Sequence, residues 1–173
     1  MTRPGLDPVA ADGADVNPVA DRPTMRGWLH VAAFSVALPA GILLLIAEST
    51  AGRVASAIYV ASLLLVFGTS AVYHRWHRDD HVRQWLQRLD HSMIYLLIAG
   101  TYVPLCIVAL PAGWGIPLLA LVATGAVAGV VLKLTAFHRV QWVSYSLYPV
   151  LGWAAVAAAP ALIANLTSLQ LGL

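Results

Sequence analysis

The chain has 173 residues, of which 60% are hydrophobic and only 10% are charged, and its mean hydropathy is +0.76. This composition is too apolar for a water-soluble domain and predicts a protein with several membrane spans. A formal net charge of +2 with dispersed arginines argues against nucleic-acid binding. The single cysteine, Cys106, excludes an intramolecular disulfide and a cysteine-based metal site.

Residues 1–27 differ from the rest of the chain, because they are rich in Pro, Ala and Asp and contain no apolar run long enough for a signal peptide. We predict that they form a disordered tail. A transmembrane domain is then expected over residues 28–173.

Five apolar segments follow the tail. A bilayer core of about 30 Å requires roughly 20 helical residues, and each segment supplies them. The fold class predicted is an all-α, polytopic transmembrane helix bundle. The predicted spans are residues 28–47, 54–74, 91–110, 115–135 and 142–164.

The cations are distributed unevenly between the two sides of these spans. If the connection between the second and third spans is cytoplasmic, nine Lys and Arg residues lie inside and only Arg53 lies outside. The amino terminus is therefore predicted to be cytoplasmic and, after five crossings, the carboxyl terminus external.

The connection at residues 76–89 carries apolar side chains at helical spacing, which favours a segment lying along the inner membrane interface. The alternative is a solvated basic loop. In the fourth span, Gly125 and Gly129 predict close helix packing. Three prolines are expected to kink or end their helices: Pro104, Pro149 and Pro160.

A polar constellation is predicted where the second and third spans meet this connection. Ser70 and His74 lie four residues apart and share a helix face, and Asp90 returns to the same membrane boundary. An imidazole can bind a metal, and a carboxylate can accept a proton from metal-bound water. Two alternatives stay open: Asp90 caps the third helix, with Ser92 assisting, or His74 is simply an interfacial residue.

The other polar residues are weaker candidates. His91 is one residue from Asp90 and faces away from it on a helix, while His30 and His138 lie at span ends. Four more residues are assigned to the connection: His77, Asp79, Asp80 and His81.

Three motifs, Ser70-Ala-Val-Tyr-His74, Leu89-Asp90-His91-Ser92-Met-Ile-Tyr95 and Ala99-Gly100-Thr101-Tyr102-Val-Pro104, together resemble the hemolysin III family. That family is grouped with the progestin and adipoQ receptors and, more remotely, the alkaline ceramidases. Leu147-Tyr148-Pro-Val-Leu-Gly152-Trp153 resembles its fifth-span motif, so the resemblance covers residues 26–155.

The resemblance implies seven spans and a zinc ion near the cytoplasmic side, with His74 as a ligand and Asp90 and Ser70 beside the metal-bound water. The family's two seventh-span histidines have no counterpart, because no His follows His138. We therefore expect the chain to be incomplete at its carboxyl end and its zinc site to be partial. His138, a second copy of the chain or a separate carboxyl-terminal fragment are the alternatives for completing it.

The function implied is that of an integral protein of the bacterial plasma membrane, possessing a partial zinc site and hydrolysing an amide or ester of a lipid, with Asp90 as base. The alternatives are a pore-forming, cytolytic protein and an inactive, truncated family member. The expected partners are membrane lipids and either a homo-oligomer or a carboxyl-terminal fragment. Neither a nucleic acid nor a soluble protein partner is implied.

Overall fold

The computed structural model describes residues 24–75, 79–137, 139 and 141–165. Within these ranges the chain forms helices and no strand, and five helical segments are long and apolar enough to cross a membrane. The predicted all-helical bundle with five spans is confirmed. The elements are α1 (Thr24–Ala47), α2 (Thr50–Arg75), α3 (Asp80–Pro104) with a π-helical turn (Leu105–Ala109), α4 (Ala112–Thr135), α5 (Gln141–Trp153), a 3-10 turn (Ala154–Ala158) and α6 (Ala159–Asn165).

The start of α3 differs most from the predicted elements. The helix begins at Asp80, and the Asp79 side chain caps it by accepting a 3.0 Å hydrogen bond from the backbone N–H of His81. The prediction that Asp90 caps this helix is therefore wrong, because Asp90 lies well inside α3 and Asp79 satisfies a free amide at its start.

Residues 80–89 are accordingly the first turns of α3 and not a separate interfacial segment. With its π-helical turn the third span is 30 residues long, whereas roughly 20 suffice to cross the bilayer core. The surplus turns extend beyond the core, where Val82 and Trp85 are each 48% exposed. Amphipathic surface of this kind suits the membrane interface.

Two of the three prolines expected to kink or end their helices lie at helix ends. Pro104 is the last residue of α3 and is followed by the π-helical turn. Pro160 is the second residue of α6, where its missing N–H removes no intrahelical hydrogen bond. Pro149 lies inside α5, and that helix changes to a 3-10 turn after Trp153.

Tyrosine hydroxyls compensate for the irregular backbone of this last span. Tyr102 donates a 2.7 Å hydrogen bond to the carbonyl of Leu151 and accepts one of 2.7 Å from the N–H of Ala155. No water is available in a bilayer core, so these backbone groups require a protein partner. The Tyr102 hydroxyl thus allows the span to change helix type within the membrane.

Gly125 and Gly129 mark close packing of α4, as predicted. A Cβ atom at Gly129 would lie 2.3 Å from the ring of Tyr95 on α3, and one at Gly125 would lie 2.6 Å from the Leu151 side chain on α5. Tyr95 is fully buried. The two glycines therefore let α4 approach a helix on each side.

One end of the bundle collects most of the charge. At this end α3 begins and α4 ends, since Arg88 Nη1 donates a 3.0 Å hydrogen bond to the Leu134 carbonyl. The start of α1 and the end of α2 also meet here, because a Cβ at Gly27 would touch the Arg75 side chain. We call it the basic end. Arg53, at the opposite end, donates to the carbonyls of Leu45 and Glu48 and so caps α1.

Candidate functional site

The structure joins two of the three predicted site residues. Ser70 on α2 is 6% exposed, and its hydroxyl donates a short hydrogen bond to Oδ1 of Asp90 on α3. The bond links adjacent antiparallel helices near the basic end. A hydroxyl donor fixes the orientation of the carboxyl, and a proton acceptor must be held in a defined orientation.

Close packing of α2 and α3 allows this contact. A Cβ atom at Gly100 would lie 2.2 Å from the Ser62 hydroxyl, so the two backbones approach closely further along the same pair of helices. Ser62 uses its hydroxyl locally, donating 2.7 Å to the carbonyl of Tyr59. Small residues on both helices therefore set the separation at which a serine can reach an aspartate.

His74 lies one helical turn beyond Ser70, at the end of α2. Its ring stacks on the ring of His30 with centroids 5.6 Å apart and planes 5° apart, and Tyr73 packs at 4.8 Å. The sequence indicates no more for His30 than a place at the end of a span. The pairing follows from the antiparallel register, which brings the first turns of α1 beside the last turn of α2.

His91 turns away from this pair, as its position next to Asp90 predicted. Its ring packs edge-on against Phe137 with centroids 5.3 Å apart, and its Nδ1 lies 2.8 Å from the Gln87 carbonyl. Its own carbonyl accepts a 2.9 Å hydrogen bond from Tyr148. His91 therefore connects α3 to the α4–α5 turn and to α5, whereas Asp90 faces α2.

The residues assigned to the connection between the second and third spans make different contacts. Asp79 caps α3, and Asp80 forms an exposed pair with Arg83 at 3.9 Å. His81 is exposed. His77 and His138 lie outside the described residues.

Lys133 is a polar residue whose environment the sequence did not reveal. By sequence it is one of the nine cations that predict the topology. In the structure it is fully buried, and its Nζ has no hydrogen-bond partner in the part of the chain that the structure describes. Aromatic rings surround it instead, with centroids at 4.1 Å for Tyr145, 5.0 Å for Phe137 and 5.8 Å for Tyr148. The only sequence signal was a lysine near a span end followed by aromatic residues.

Comparison with known proteins identifies the chain's relatives. The sequence profile of the family described as "Haemolysin-III related" matches residues 19–172. The chain belongs to the hemolysin III family. It is 37% identical over 138 residues to "Hemolysin-3" of Bacillus cereus, a match covering 76% of this chain and 62% of that protein. It is 33% identical over 137 residues to the "Hemolysin-3 homolog" of Bacillus subtilis strain 168, covering 76% and 63%.

The chain therefore matches less than two thirds of the length of these hemolysin III relatives. No solved structure is significantly similar to it. The family resemblance inferred from the three motifs is confirmed, and this hemolysin III protein crosses the membrane several times.

The residues that the structure describes do not complete the zinc site that the family resemblance implies. In the described ranges no three His, Cys, Asp or Glu side chains lie close enough together to hold a metal ion. His74 and Asp90 offer one imidazole and one carboxylate, whereas a catalytic zinc takes three protein ligands and a water. Further ligands would have to come from outside the described residues, where His138 lies.

An apolar groove of about 640 Å³ runs beside the Ser70–Asp90 pair. It lies between α1, α2 and α3, and two of its lining residues, Thr69 and Leu89, directly precede Ser70 and Asp90 in the chain. The other lining residues are Phe34, Ala61, Leu64, Leu65, Gly68, Val72 and Leu86. Its size and apolar lining suit a hydrocarbon chain.

Proposed function

We propose that this hemolysin III protein hydrolyses an amide or ester of a membrane lipid at Ser70, His74 and Asp90. The observation that carries the proposal is the hydrogen bond between Ser70 and Asp90, one turn from His74 in membrane-spanning helices. Ionisable groups inside spans are costly and are generally kept for function. The same proposal places the basic end in the cytoplasm of a bacterial cell, following the positive-inside rule.

Each of the three residues has a different role in the proposed hydrolysis. Asp90 accepts a proton from the attacking water, and the Ser70 hydroxyl holds the carboxylate in place. His74 supplies an imidazole at the same membrane depth. Zinc, where bound, would polarise the scissile carbonyl and activate water, but it requires ligands beyond the two described here. The zinc dependence therefore rests on completion of the site by another segment or a second copy.

The groove supports a lipid substrate. An acyl chain lying against Thr69 and Leu89 would bring its carbonyl to the membrane boundary beside Ser70 and Asp90. Burial of hydrocarbon contributes about 0.8 kcal/mol per CH₂ only when it leaves water. Selection of a substrate already in the bilayer therefore depends on groove shape and on the polar pair.

Fatty acid release from ceramides and diacyl esters, measured with the protein in liposomes supplied with zinc, tests the proposal. We expect release that Asp90→Asn abolishes, while Asp80→Asn, the matched change at an exposed residue, leaves it unaltered. Absence of release from every substrate, or equal release by both variants, would contradict the proposal.

Metal content gives a separate test. Near-stoichiometric zinc in the purified protein by elemental mass spectrometry, lost in His74→Ala and retained in His81→Ala, would mean that another segment, a second copy or a lipid completes the site around His74. Zinc at background in all three proteins would rule out a functional metal site in this chain alone and favour an inactive family member.

The second candidate is a pore-forming protein, favoured by the relatives' printed name, "Hemolysin-3". Dye leakage from liposomes that persists in His74→Ala and Asp90→Asn would support it. Liposomes that stay sealed at high protein loading would exclude it.

A further inference from the structure

Lys133 occupies an environment that the described part of the chain leaves incomplete. It is fully buried, and its Nζ makes no hydrogen bond within the described ranges. An ammonium group carries three N–H donors and no acceptor, so within these ranges none of the three donors has a hydrogen-bond partner. Burying a charge without a hydrogen-bonded counter-ion is among the most unfavourable arrangements in a protein.

The surrounding aromatic rings offset only part of this cost. The centroids of Tyr145, Phe137 and Tyr148 lie 4.1, 5.0 and 5.8 Å from Nζ, within range of cation–π attraction. Ring faces attract the cation but accept no strong hydrogen bond. The Tyr148 hydroxyl is already used, since it donates to the His91 carbonyl.

The acidic groups nearby are not available as the counter-ion. Asp90 accepts the hydrogen bond from Ser70 and faces α2. Asp79 caps the start of α3, and Asp80 is exposed and pairs with Arg83. The described part of the chain therefore holds a buried cation whose anion must come from elsewhere.

The position of Lys133 indicates which kind of anion lies near it. It lies two residues before the end of α4, at the membrane boundary where lipid phosphates are concentrated. Two more cations flank this helix end: Arg88, whose guanidinium reaches the Leu134 carbonyl, and the exposed Arg139 in the α4–α5 turn. Basic pockets between transmembrane helices at such a boundary bind anionic lipid headgroups.

We propose that Lys133, with Tyr145, Phe137 and Tyr148, forms a binding site for the phosphate of an anionic phospholipid. A phosphate oxygen accepts hydrogen bonds from Nζ, and the rings surround the ammonium on its remaining sides. Tyr145, at 45% exposed, is the most exposed of the three aromatic residues, so the proposal requires the headgroup to enter past its side chain. The site is separate from the Ser70–Asp90 pair and does not depend on the proposed hydrolase activity.

Lys133 is the only lysine of the chain, which permits a direct test on the unmodified protein. Lysine labelled with ¹⁵N at Nζ gives one side-chain signal. The protein is placed in bilayers of uncharged, phosphorus-free galactolipid to which phosphatidylglycerol is added, and the ¹⁵N–³¹P dipolar coupling is measured by solid-state NMR. A direct ammonium–phosphate contact corresponds to an N–P distance of about 4 Å.

We expect an ammonium chemical shift and a coupling that appears with phosphatidylglycerol. A coupling found only when millimolar inorganic phosphate is added without phosphatidylglycerol would assign the site to free phosphate and overturn the lipid proposal. No coupling in either sample, or a neutral-amine shift with phosphatidylglycerol present, would also overturn it.

Lipid affinity provides the second measurement. Native mass spectrometry should show at least a tenfold loss of phosphatidylglycerol affinity in Lys133→Met, with a change of less than about threefold in Arg139→Gln. Phosphatidylcholine binding should be unchanged in both. Equal losses in the two variants would mean that only general surface charge attracts the lipid. Circular dichroism establishes that each variant is folded, and the NMR test needs no variant.

Discussion

Packing of α4 against α3 can be tested at Gly129. In Gly129→Ala the new Cβ would lie 2.3 Å from Cε1 and 2.4 Å from Cζ of Tyr95, whereas carbon atoms make favourable contact at about 3.5–4.0 Å. The ring or the helix must therefore move by more than an ångström. The ring has little freedom, because Tyr95 is fully buried and its hydroxyl donates a 2.6 Å hydrogen bond to the Ser144 carbonyl.

The magnitude follows from three terms. Overpacking lowers the free energy of unfolding by about 1–3 kcal/mol, and loss of the tyrosine hydrogen bond lowers it by about 1 kcal/mol more. Replacing a helical glycine by alanine raises it by up to about 1 kcal/mol. The net expectation is a loss of roughly 1–3 kcal/mol in the free energy of unfolding. Gly113→Ala on the same helix is the control, because no atom lies within 4 Å of its new Cβ, and it should be neutral or slightly stabilising.

Unfolding by sodium dodecyl sulfate in mixed micelles, followed by circular dichroism, measures both variants. The double variant Gly129→Ala with Tyr95→Leu should lose less than the sum of the single changes, by at least about 0.5 kcal/mol, because the clashing ring is gone. Equal stability of Gly129→Ala and Gly113→Ala, or strict additivity in the double variant, would refute the packing argument.

Three further changes probe polar contacts by the same unfolding assay. Tyr102→Phe should cost about 1–3 kcal/mol, since it leaves backbone groups of the last span unpaired in the membrane; a neutral result would mean that they find other partners. Ser70→Ala should cost about 1–2 kcal/mol by removing the donor to Asp90, and an unchanged stability would show that the bond contributes nothing. Asp79→Ala should lower the free energy of unfolding by about 0.5–2 kcal/mol, because it removes the helix cap, whereas Asp80→Ala should change it by less than about 0.5 kcal/mol. A larger loss in Asp80→Ala than in Asp79→Ala would show that Asp79 is not the cap.

The spans were predictable because membrane helices have a strong signal, about 20 apolar residues bounded by polar ones. The start of α3 was not, because residues 80–89 are polar enough to resemble a connection, although their apolar positions already recur at helical spacing. Helical periodicity continuing without a break into the third span was the better guide. Asp79 could have been recognised as the cap from its place just before this periodic segment.

Contacts within the site were predictable only in part. The meeting of α2 and α3 followed from topology, which brings Ser70 and Asp90 to one depth. The stacking of His30 on His74 depends on the rotation of α1 about its own axis, which no local pattern specifies. The environment of Lys133 depends on three aromatic residues whose directions are set by the α4–α5 turn, so its burial emerges only from the assembled helices.

Asp90 and Lys133 engage different partners. The Ser70 hydroxyl on α2 donates to the Asp90 carboxylate, whereas the rings of Tyr145, Phe137 and Tyr148 surround Nζ of Lys133. Within the described residues no hydrogen bond joins this ammonium to a carboxylate. The proposed proton acceptor and the proposed phosphate site therefore use separate charged groups, so each can be tested without removing the other.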